Sequence, residues 1–210
     1  MKLSSNSFRN GGLIPGRCAF CVRSPHGHVQ LSQNRNPQLA WDRTPAGTRS
    51  FVITCIDSDA PTSADAVNQP GREVPANLAR AEFVHWLMTD IPAHVRQIAE
   101  GACSQCVTAK GKPRPAGPQG TQQGVNDYTN WFAGDASMAG TYLGYDGPCP
   151  PWNDARVHHY RFTVYATDLE RCPVSVAYTL KQLRSALDGH VLDSASLSGR
   201  YSLNPRFRLV

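Results

Sequence analysis

The stretch Val157-His158-His159-Tyr160-Arg161-Phe162-Thr163-Val164-Tyr165-Ala166 decides the fold class of this 210-residue chain. β-branched and aromatic residues dominate it, which predicts a β-strand. Because side chains alternate between the two faces of a strand, one face is apolar except where it begins, at His158 and Tyr160. A polar pair at the mouth of an apolar face favours a small binding pocket. The same pair also fits the end of an ordinary core strand.

A proline-rich turn, Gly147-Pro148-Cys149-Pro150-Pro151, precedes this strand. Proline has no N–H group, so the turn can offer a ligand only the amides of Gly147, Cys149 and Trp152. The prolines also hold the backbone of the turn rigid.

Two further strands are predicted in the first half of the chain. Arg49–Asp57 alternates so that Asp57 ends the face that carries Phe51, Ile53 and Cys55. Phe83–Thr89 is an apolar run with His85 inside it, and most histidines in such runs are structural.

Weaker signals complete the pattern of elements. Helices are predicted over Pro92–Glu100 and Val176–Leu187 from their start, stop and periodicity signals. A short last strand is expected at Val191–Leu192 or Gly199–Tyr201, and residues 101–144 are loop-like. The length favours one domain over residues 1–210, with residues 1–10 expected to be disordered.

Composition excludes several classes of function. Hydrophobic content of 40%, charged content of 18%, 16 prolines and 17 glycines fit a β-rich globular protein with many turns. The net charge of +5 comes from scattered basic residues, whereas a nucleic-acid surface would need a basic stripe with stacking aromatics. The densest basic group, Lys110-Gly111-Lys112-Pro113-Arg114, is predicted to be solvated loop charge.

The chain shows no targeting or membrane signal. Met1–Pro15 has no apolar core of the kind found in signal peptides, and no segment reaches the length of a membrane span. A cytoplasmic protein without integral membrane association is therefore expected. Seven cysteines agree with this, because an odd number leaves at least one thiol unpaired.

Three motifs occur along the chain: Asp57-Ser58-Asp59-Ala60-Pro61, Phe83-Val84-His85-Trp86, and the proline turn leading into His158-His159-Tyr160. Their order resembles the phosphatidylethanolamine-binding protein family, also called Raf kinase inhibitor-like proteins, in its bacterial form. The tail Leu187–Leu192 with Gly199–Tyr201 is also similar. The resemblance implies an all-β fold with minor α: a Greek-key antiparallel β-sandwich with a few peripheral helices. It also implies a small anion or phospholipid headgroup as ligand, and it is compatible with regulation of a protein partner, such as a kinase or a protease, and with a homodimer.

Ten candidate ligand-binding residues follow from the resemblance: Asp57, Asp59, Pro61, His85, Trp86, Gly147, Cys149, Pro150, His158 and Tyr160. Imidazole and phenol groups can donate hydrogen bonds to a phosphate. Asp57 cannot donate while ionised, so we expect it to orient a histidine and raise the pKa of that histidine. The peptide bond between Ala60 and Pro61 is predicted to be cis.

Two alternatives remain open at this stage. Asp57 with two histidines is a common catalytic set, so a hydrolase or phosphoryl-transfer enzyme is the second hypothesis. No activated nucleophile stands out, and we expect a binding protein that is not an enzyme and uses no cofactor. The third hypothesis is a structural zinc site made by Cys18, Cys21, Cys103 and Cys106, with two disulfides as a further possibility.

Overall fold

The structure is a computed structural model that describes residues 1–207, so the last three residues of the predicted 1–210 domain lie outside it. Within those residues the chain forms ten strands, two helices and a 3-10 turn at Gly16–Cys18. The strands are β1 (Lys2–Ser4), β2 (Cys21–Arg23), β3 (Val29–Leu31), β4 (Leu39–Asp42), β5 (Ser50–Pro61), β6 (Arg80–Pro92), β7 (Gln97–Ile98), β8 (Gln122–Gln123), β9 (His158–Thr167) and β10 (Val191–Tyr201). The helices are α1 (Tyr128–Trp131) and α2 (Leu180–Leu187).

The strands form three sheets, and neighbouring strands within each sheet are antiparallel. The largest sheet has the order β10-β9-β5-β6-β8, the second has the order β1-β4-β7, and β2 with β3 forms a hairpin. The prediction of a mostly β, antiparallel fold is therefore confirmed, and the Greek-key sandwich stays a prediction. Neither helix is long and apolar enough to cross a membrane, and this holds for the whole described range.

The register of the central sheet gathers the polar ends of three strands. Asp57 on β5 pairs with Tyr160 on β9 and with Phe83 on β6, and His85 follows Phe83 by two residues. The pairing of β5 with β6 shifts between Asp57 and Ala60. Pairing resumes where Ala60 meets Ala81, so the irregularity is local, like the bulges that occur near sites.

The two faces of the large sheet pack on different apolar clusters. Phe162, Val164 and Ala166 of β9 lie in the main cluster with Leu39 and Trp41 of the second sheet. The predicted alternation of β9 is confirmed, because Tyr160, Phe162, Val164 and Ala166 are all buried. The opposite face is covered by α2 in a smaller cluster with buried residues Val52, Val84, Leu87, Cys172, Tyr178, Leu183 and Leu187.

Helix α2 is shorter than the periodicity predicts. Thr179 caps its N-terminus, and Gln182 completes a capping box with it, which fixes the start of a helix. Ala177 has a positive φ of 60°, a conformation that a right-handed helix cannot contain. Val176, predicted to lie on the buried face, is therefore outside the helix and exposed.

Other predicted elements differ because pairing between distant strands overrides local signals. The helix predicted over Pro92–Glu100 is wrong: this segment is a turn followed by β7, whose Ile98 pairs with Leu39 of β4. Residues 1–10 were expected to be disordered, yet they contain β1, which pairs with β4. The last strand is one continuous element, β10, rather than either of two short ones.

Candidate anion-binding cavity

A cavity of about 110 Å³ opens where the ends of β5, β6 and β9 meet the proline turn. The predicted convergence of His85, His158 and Tyr160 on one cavity is confirmed. The structure brings seven of the ten candidate residues to its lining: Asp57, Pro61, His85, Cys149, Pro150, His158 and Tyr160.

His158 lies between two carboxylates. Its Nδ1 is 2.6 Å from Oδ2 of Asp57, and its Nε2 is 3.1 Å from Oδ2 of Asp154. Arg80 donates two hydrogen bonds to the same Asp154 carboxylate. We call Asp57, His158, Asp154 and Arg80 the ion-pair network. Two negative and two positive groups are thus buried together with their charges balanced.

The ion-pair network keeps His158 in its charged form. Burial lowers the pKa of His158, but Asp57 and Asp154 offset that effect and raise the pKa to about 9. The prediction that Asp57 orients a histidine and raises its pKa is therefore confirmed. Because both ring nitrogens of His158 already donate to carboxylates, this ring has no N–H group left for a ligand.

His85 has a different environment in the same cavity. Its Nδ1 is 2.7 Å from the backbone carbonyl oxygen of Asp146, whereas its Nε2 has no hydrogen-bond partner within residues 1–207. The rings of Phe83, Tyr128 and Tyr160 surround it at 5.0–5.6 Å between centroids. Burial in these surroundings lowers the pKa of His85, outweighing the opposing effect of Asp57.

Two further polar atoms, in residues that line the cavity, lack partners. The hydroxyl group of Tyr160 is completely buried and makes no hydrogen bond, and burial raises the pKa of this phenol well above its usual value. The amide N–H of Cys149 likewise finds no acceptor in the part of the chain that the structure describes. We call Nε2 of His85, the hydroxyl of Tyr160 and the amide of Cys149 the unpaired cluster.

The other amides of the proline turn are used within the protein. The amide of Gly147 donates to Oδ1 of Asn34, and that of Trp152 donates to Oδ1 of Asn68. A Cβ at Gly147 would lie 2.1 Å from the carbonyl oxygen of Cys18, so only glycine allows this close backbone approach. Of the three amides predicted for the turn, only that of Cys149 is left.

Asp146 lies just before the proline turn, and its carbonyl contacts His85 of the cavity. Its buried carboxylate accepts hydrogen bonds from Asn34, Asn126 and Lys112. Lys112 was predicted to be a solvated loop charge, and this is wrong: its side chain is largely buried and pairs with Asp146 at 2.6 Å. The salt bridge ties the long 101–144 segment to the cavity.

Three candidate residues do not line the cavity. Asp59 accepts hydrogen bonds from His159 and Arg156. Although burial raises the pKa of Asp59, the hydrogen bonds from His159 hold it below the usual value. Trp86 is buried in the main apolar cluster and donates to Gln123. The pairing of β5 with β6 is irregular between Trp86 and Val84, so simple alternation along β6 does not predict where Trp86 lies. Gly147 begins the turn, and its carbonyl accepts from the hydroxyl of Tyr128.

The prediction of a cis bond between Ala60 and Pro61 is wrong, since the described residues contain only trans peptides. Ala60 and Pro61 still belong to β5 and pair with Ala81 and Arg80 of β6, so the tight corner that would favour a cis bond is not formed there.

Cys21 and Cys149 form a disulfide across a sequence separation of 128 residues. The four-cysteine zinc hypothesis is therefore contradicted, because Cys21 is no longer a thiolate ligand. Burial also raises the pKa values of Cys18 and Cys103 to about 12, whereas zinc binds thiolates. Within residues 1–207 no three His, Cys, Asp or Glu side chains are grouped as a metal site requires.

The disulfide also bears on localisation. Disulfides persist in oxidising compartments and are rare in the cytosol, so this bond argues against a cytoplasmic location. The location of the protein stays a prediction.

Sequence reasoning missed several residues of the cavity region. Phe83, Tyr128 and Trp131 line the cavity, and Tyr128 comes from a loop-like segment with no pattern that indicates it. Asp154 carried a usable signal, since it is an acidic residue three positions after Pro151 and four before His158.

Comparisons with known proteins show the family of the chain. The model of the phosphatidylethanolamine-binding protein family matches residues 4–202. YbhB of Escherichia coli strain K12, a UPF0098 protein, is 33% identical over 202 residues, which cover 96% of this chain and 100% of YbhB.

Two solved structures are also similar. E. coli YbcL, whose crystal structure is described as that of a new member of the mammalian PEBP family, aligns with a TM-score of 0.67 and 26% identity over 96% of this chain and 97% of YbcL. CT736 of Chlamydia trachomatis, a putative phosphatidylethanolamine-binding protein homologue, aligns with a TM-score of 0.63 and 25% identity over 96% of each chain. With a match that runs over nearly its whole length, the chain belongs to the phosphatidylethanolamine-binding protein family.

Proposed function

We propose that the cavity binds a small anion, either free phosphate or the phosphate of a phospholipid headgroup. The hydroxyl of Tyr160 is the observation that carries this proposal. It is completely buried and has no partner, and Tyr160 is one of the residues that line the cavity. An unsatisfied buried polar group costs on the order of 1–3 kcal/mol. A ligand oxygen that accepts from this hydroxyl removes that cost.

The other members of the unpaired cluster support the same function. The amide of Cys149 can donate to a second ligand oxygen, and His85 provides a third polar contact. A volume of about 110 Å³ suits a small polyatomic ion, because one water occupies about 30 Å³ in the liquid.

The rim of the cavity fits a headgroup better than a buried ion alone. Pro61, Val67, Pro150 and Trp131 line the cavity, and the side chain of Trp131 is about half exposed. An apolar rim around a polar end is the arrangement that a small organic ligand needs.

No specific contact favours the hydrolytic alternative. A general base must be free to take a proton, but both ring nitrogens of His158 contact carboxylates, and its pKa is raised to about 9. Nε2 of His85 is free to take a proton, but the one hydrogen bond of this ring within residues 1–207 goes to the backbone carbonyl of Asp146, so His85 contacts no hydroxyl or thiol that it could activate. Regulation of a protein partner and a homodimer stay predictions from the family resemblance.

Calorimetric titration with inorganic phosphate tests the proposal. The Tyr160→Phe variant should bind phosphate roughly 10-fold to 100-fold more weakly, because hydrogen bonds to charged groups contribute about 1.5–3 kcal/mol. The matched control is Tyr165→Phe, which alters the opposite face of the same strand and should leave the affinity unchanged. Absence of phosphate binding to the unmodified protein, or equal affinity in the Tyr160→Phe variant, would remove the proposal.

A further inference from the structure

The tautomer of His85 is set by the protein itself. Nδ1 lies 2.7 Å from the carbonyl oxygen of Asp146, and a carbonyl oxygen can only accept, so Nδ1 carries a hydrogen. That carbonyl is held in place because the amide of Asp146 donates back to the carbonyl of His85. In the neutral ring, Nε2 therefore presents a lone pair, which accepts a hydrogen bond and repels an anionic oxygen.

The groups around His85 leave the ring mainly neutral near pH 7. Asp57 on β5, Asp127 before α1 and Asp146 before the proline turn each favour the charged ring, but burial acts more strongly and lowers the pKa. The carboxylate of Asp146 is itself neutralised by Lys112.

The remaining neighbours do not reverse this balance. Tyr128 on α1 and Tyr160 on β9 contribute neutral rings beside His85. His158 on β9 is charged and disfavours a second positive ring nearby, although Asp57 and Asp154 balance its charge.

Within the function proposed above, on which this step rests, the geometry points to a cavity that selects oxyanions carrying their own proton, with His85 as the residue that determines specificity. The monoanion of phosphate or of a phosphomonoester has a P–O–H group that donates to Nε2 of His85. Its other oxygens accept from the hydroxyl of Tyr160 and the amide of Cys149. Sulfate has no proton to donate, so it binds only after His85 takes a proton from solvent.

The difference between the two anions is a difference in proton balance. A phosphate monoanion enters with its proton, and no proton is exchanged with solvent. A sulfate enters together with one proton from solvent, which ends on Nε2 of His85. Sulfate affinity should therefore fall about 10-fold for each pH unit above the pKa of His85, whereas phosphate affinity falls only once its own second proton is lost, near pH 6 to 7.

Calorimetry on the unmodified protein tests this inference without a variant. Sodium phosphate and sodium sulfate are titrated at about pH 6 in two buffers with different ionisation enthalpies, so that proton uptake is measured directly. We expect phosphate to bind without proton uptake. Sulfate should bind at least about 10-fold more weakly and take up a proton in proportion to the neutral fraction of His85, so that its uptake approaches one proton as the pH rises above the pKa of His85. Sulfate that binds as tightly as phosphate without proton uptake would overturn the inference while leaving anion binding intact. Failure of both anions to bind would instead remove the proposed function and this inference with it.

A His85→Gln variant sharpens the result. The glutamine amide can donate to sulfate or accept from phosphate without titrating, so the preference for phosphate should shrink toward equal affinity, and proton uptake with sulfate should disappear. His159→Gln, on the opposite face of β9, is the matched control and should keep the preference. A His85→Gln variant that retains the full preference and the proton uptake would overturn the role of His85.

Discussion

The ion-pair network and the unpaired cluster lie on the same cavity but differ in how their polar atoms are used. In the network, His158 contacts a carboxylate at each ring nitrogen. In the cluster, His85 uses one ring nitrogen and leaves the other free. Two histidines of one cavity therefore have different roles, which their hydrogen-bond partners decide rather than their residue type.

This difference separates stability from binding. Buried charges are tolerated only when they are paired, so the network belongs to the folded protein whether or not a ligand is present. Unsatisfied polar atoms destabilise the empty cavity, so the cluster is useful only when a ligand completes it. The following predictions are ordered from the largest expected effect to the smallest.

Breaking the network should have the largest effect. Asp154→Ala leaves Arg80 and His158 buried with too little negative charge, and removal of one partner from a buried ion pair costs about 3–5 kcal/mol. Denaturant unfolding measures this loss. Asp168→Ala, which removes the partner of His190 in an exposed ion pair, is the control and should cost less than about 1 kcal/mol. Similar values for the two variants would show that the network is not structural.

Opening the disulfide should loosen the unpaired cluster. A disulfide that closes a loop of this length contributes about 2–5 kcal/mol, and Cys149 supplies one member of the cluster. The double variant Cys21→Ser with Cys149→Ser should therefore lose stability and phosphate affinity together. Cys106→Ser, at an exposed free thiol, should change neither. Unchanged phosphate affinity in the double variant would show that the turn is held by its other contacts alone.

His158 and His85 should make the free energy of unfolding depend on pH with opposite signs. The pKa of His158 is raised in the folded state to about 9 from 6.5, so its contribution is complete below pH 6.5 and is lost as the pH rises through about 9. A shift of this size corresponds to roughly 3 kcal/mol. The pKa of His85 is lowered from 6.5 in the folded state. Its contribution to the free energy of unfolding is therefore present above pH 6.5 and is lost as the pH falls.

Unfolding curves of the unmodified protein, His158→Gln and His85→Gln over this pH range separate the two effects. His158→Gln should flatten the alkaline limb of the stability profile, and His85→Gln should flatten the acid limb. Parallel profiles for all three proteins would contradict the assignment of these two limbs.

The smallest effects should come from two phenols of the same cavity. Tyr160→Phe removes an unsatisfied hydroxyl, so the free energy of unfolding should stay the same or rise by up to about 1 kcal/mol without ligand. Tyr128→Phe removes a hydroxyl that donates to the carbonyl of Gly147 at 2.7 Å and should cost about 1–2 kcal/mol. Thermal unfolding without added anion compares the two, and a larger loss in Tyr160→Phe would show that its hydroxyl has a partner in the protein.

The sequence by itself determined the three strands of the site and the family. Alternation in residues 157–166 and 49–57 predicted which side chains are buried, because the period of a strand is a local property. The pairing of Asp57 with a histidine also followed, since Asp57 ends one predicted strand and His158 begins another. Signals for short elements failed, as at Pro92–Glu100, where pairing with β4 overrode a local helix pattern.

Only the tertiary structure decided which polar atoms remain available to a ligand. Arg80 meets Asp154 across 74 residues, Lys112 meets Asp146 across 34, and Cys21 meets Cys149 across 128. These partners are brought together by sheet register and by a long loop, neither of which leaves a periodic trace in the sequence. A histidine is therefore recognisable as a site candidate from its strand. Whether it is saturated like His158 or open like His85 depends on partners that only folding brings within hydrogen-bond distance.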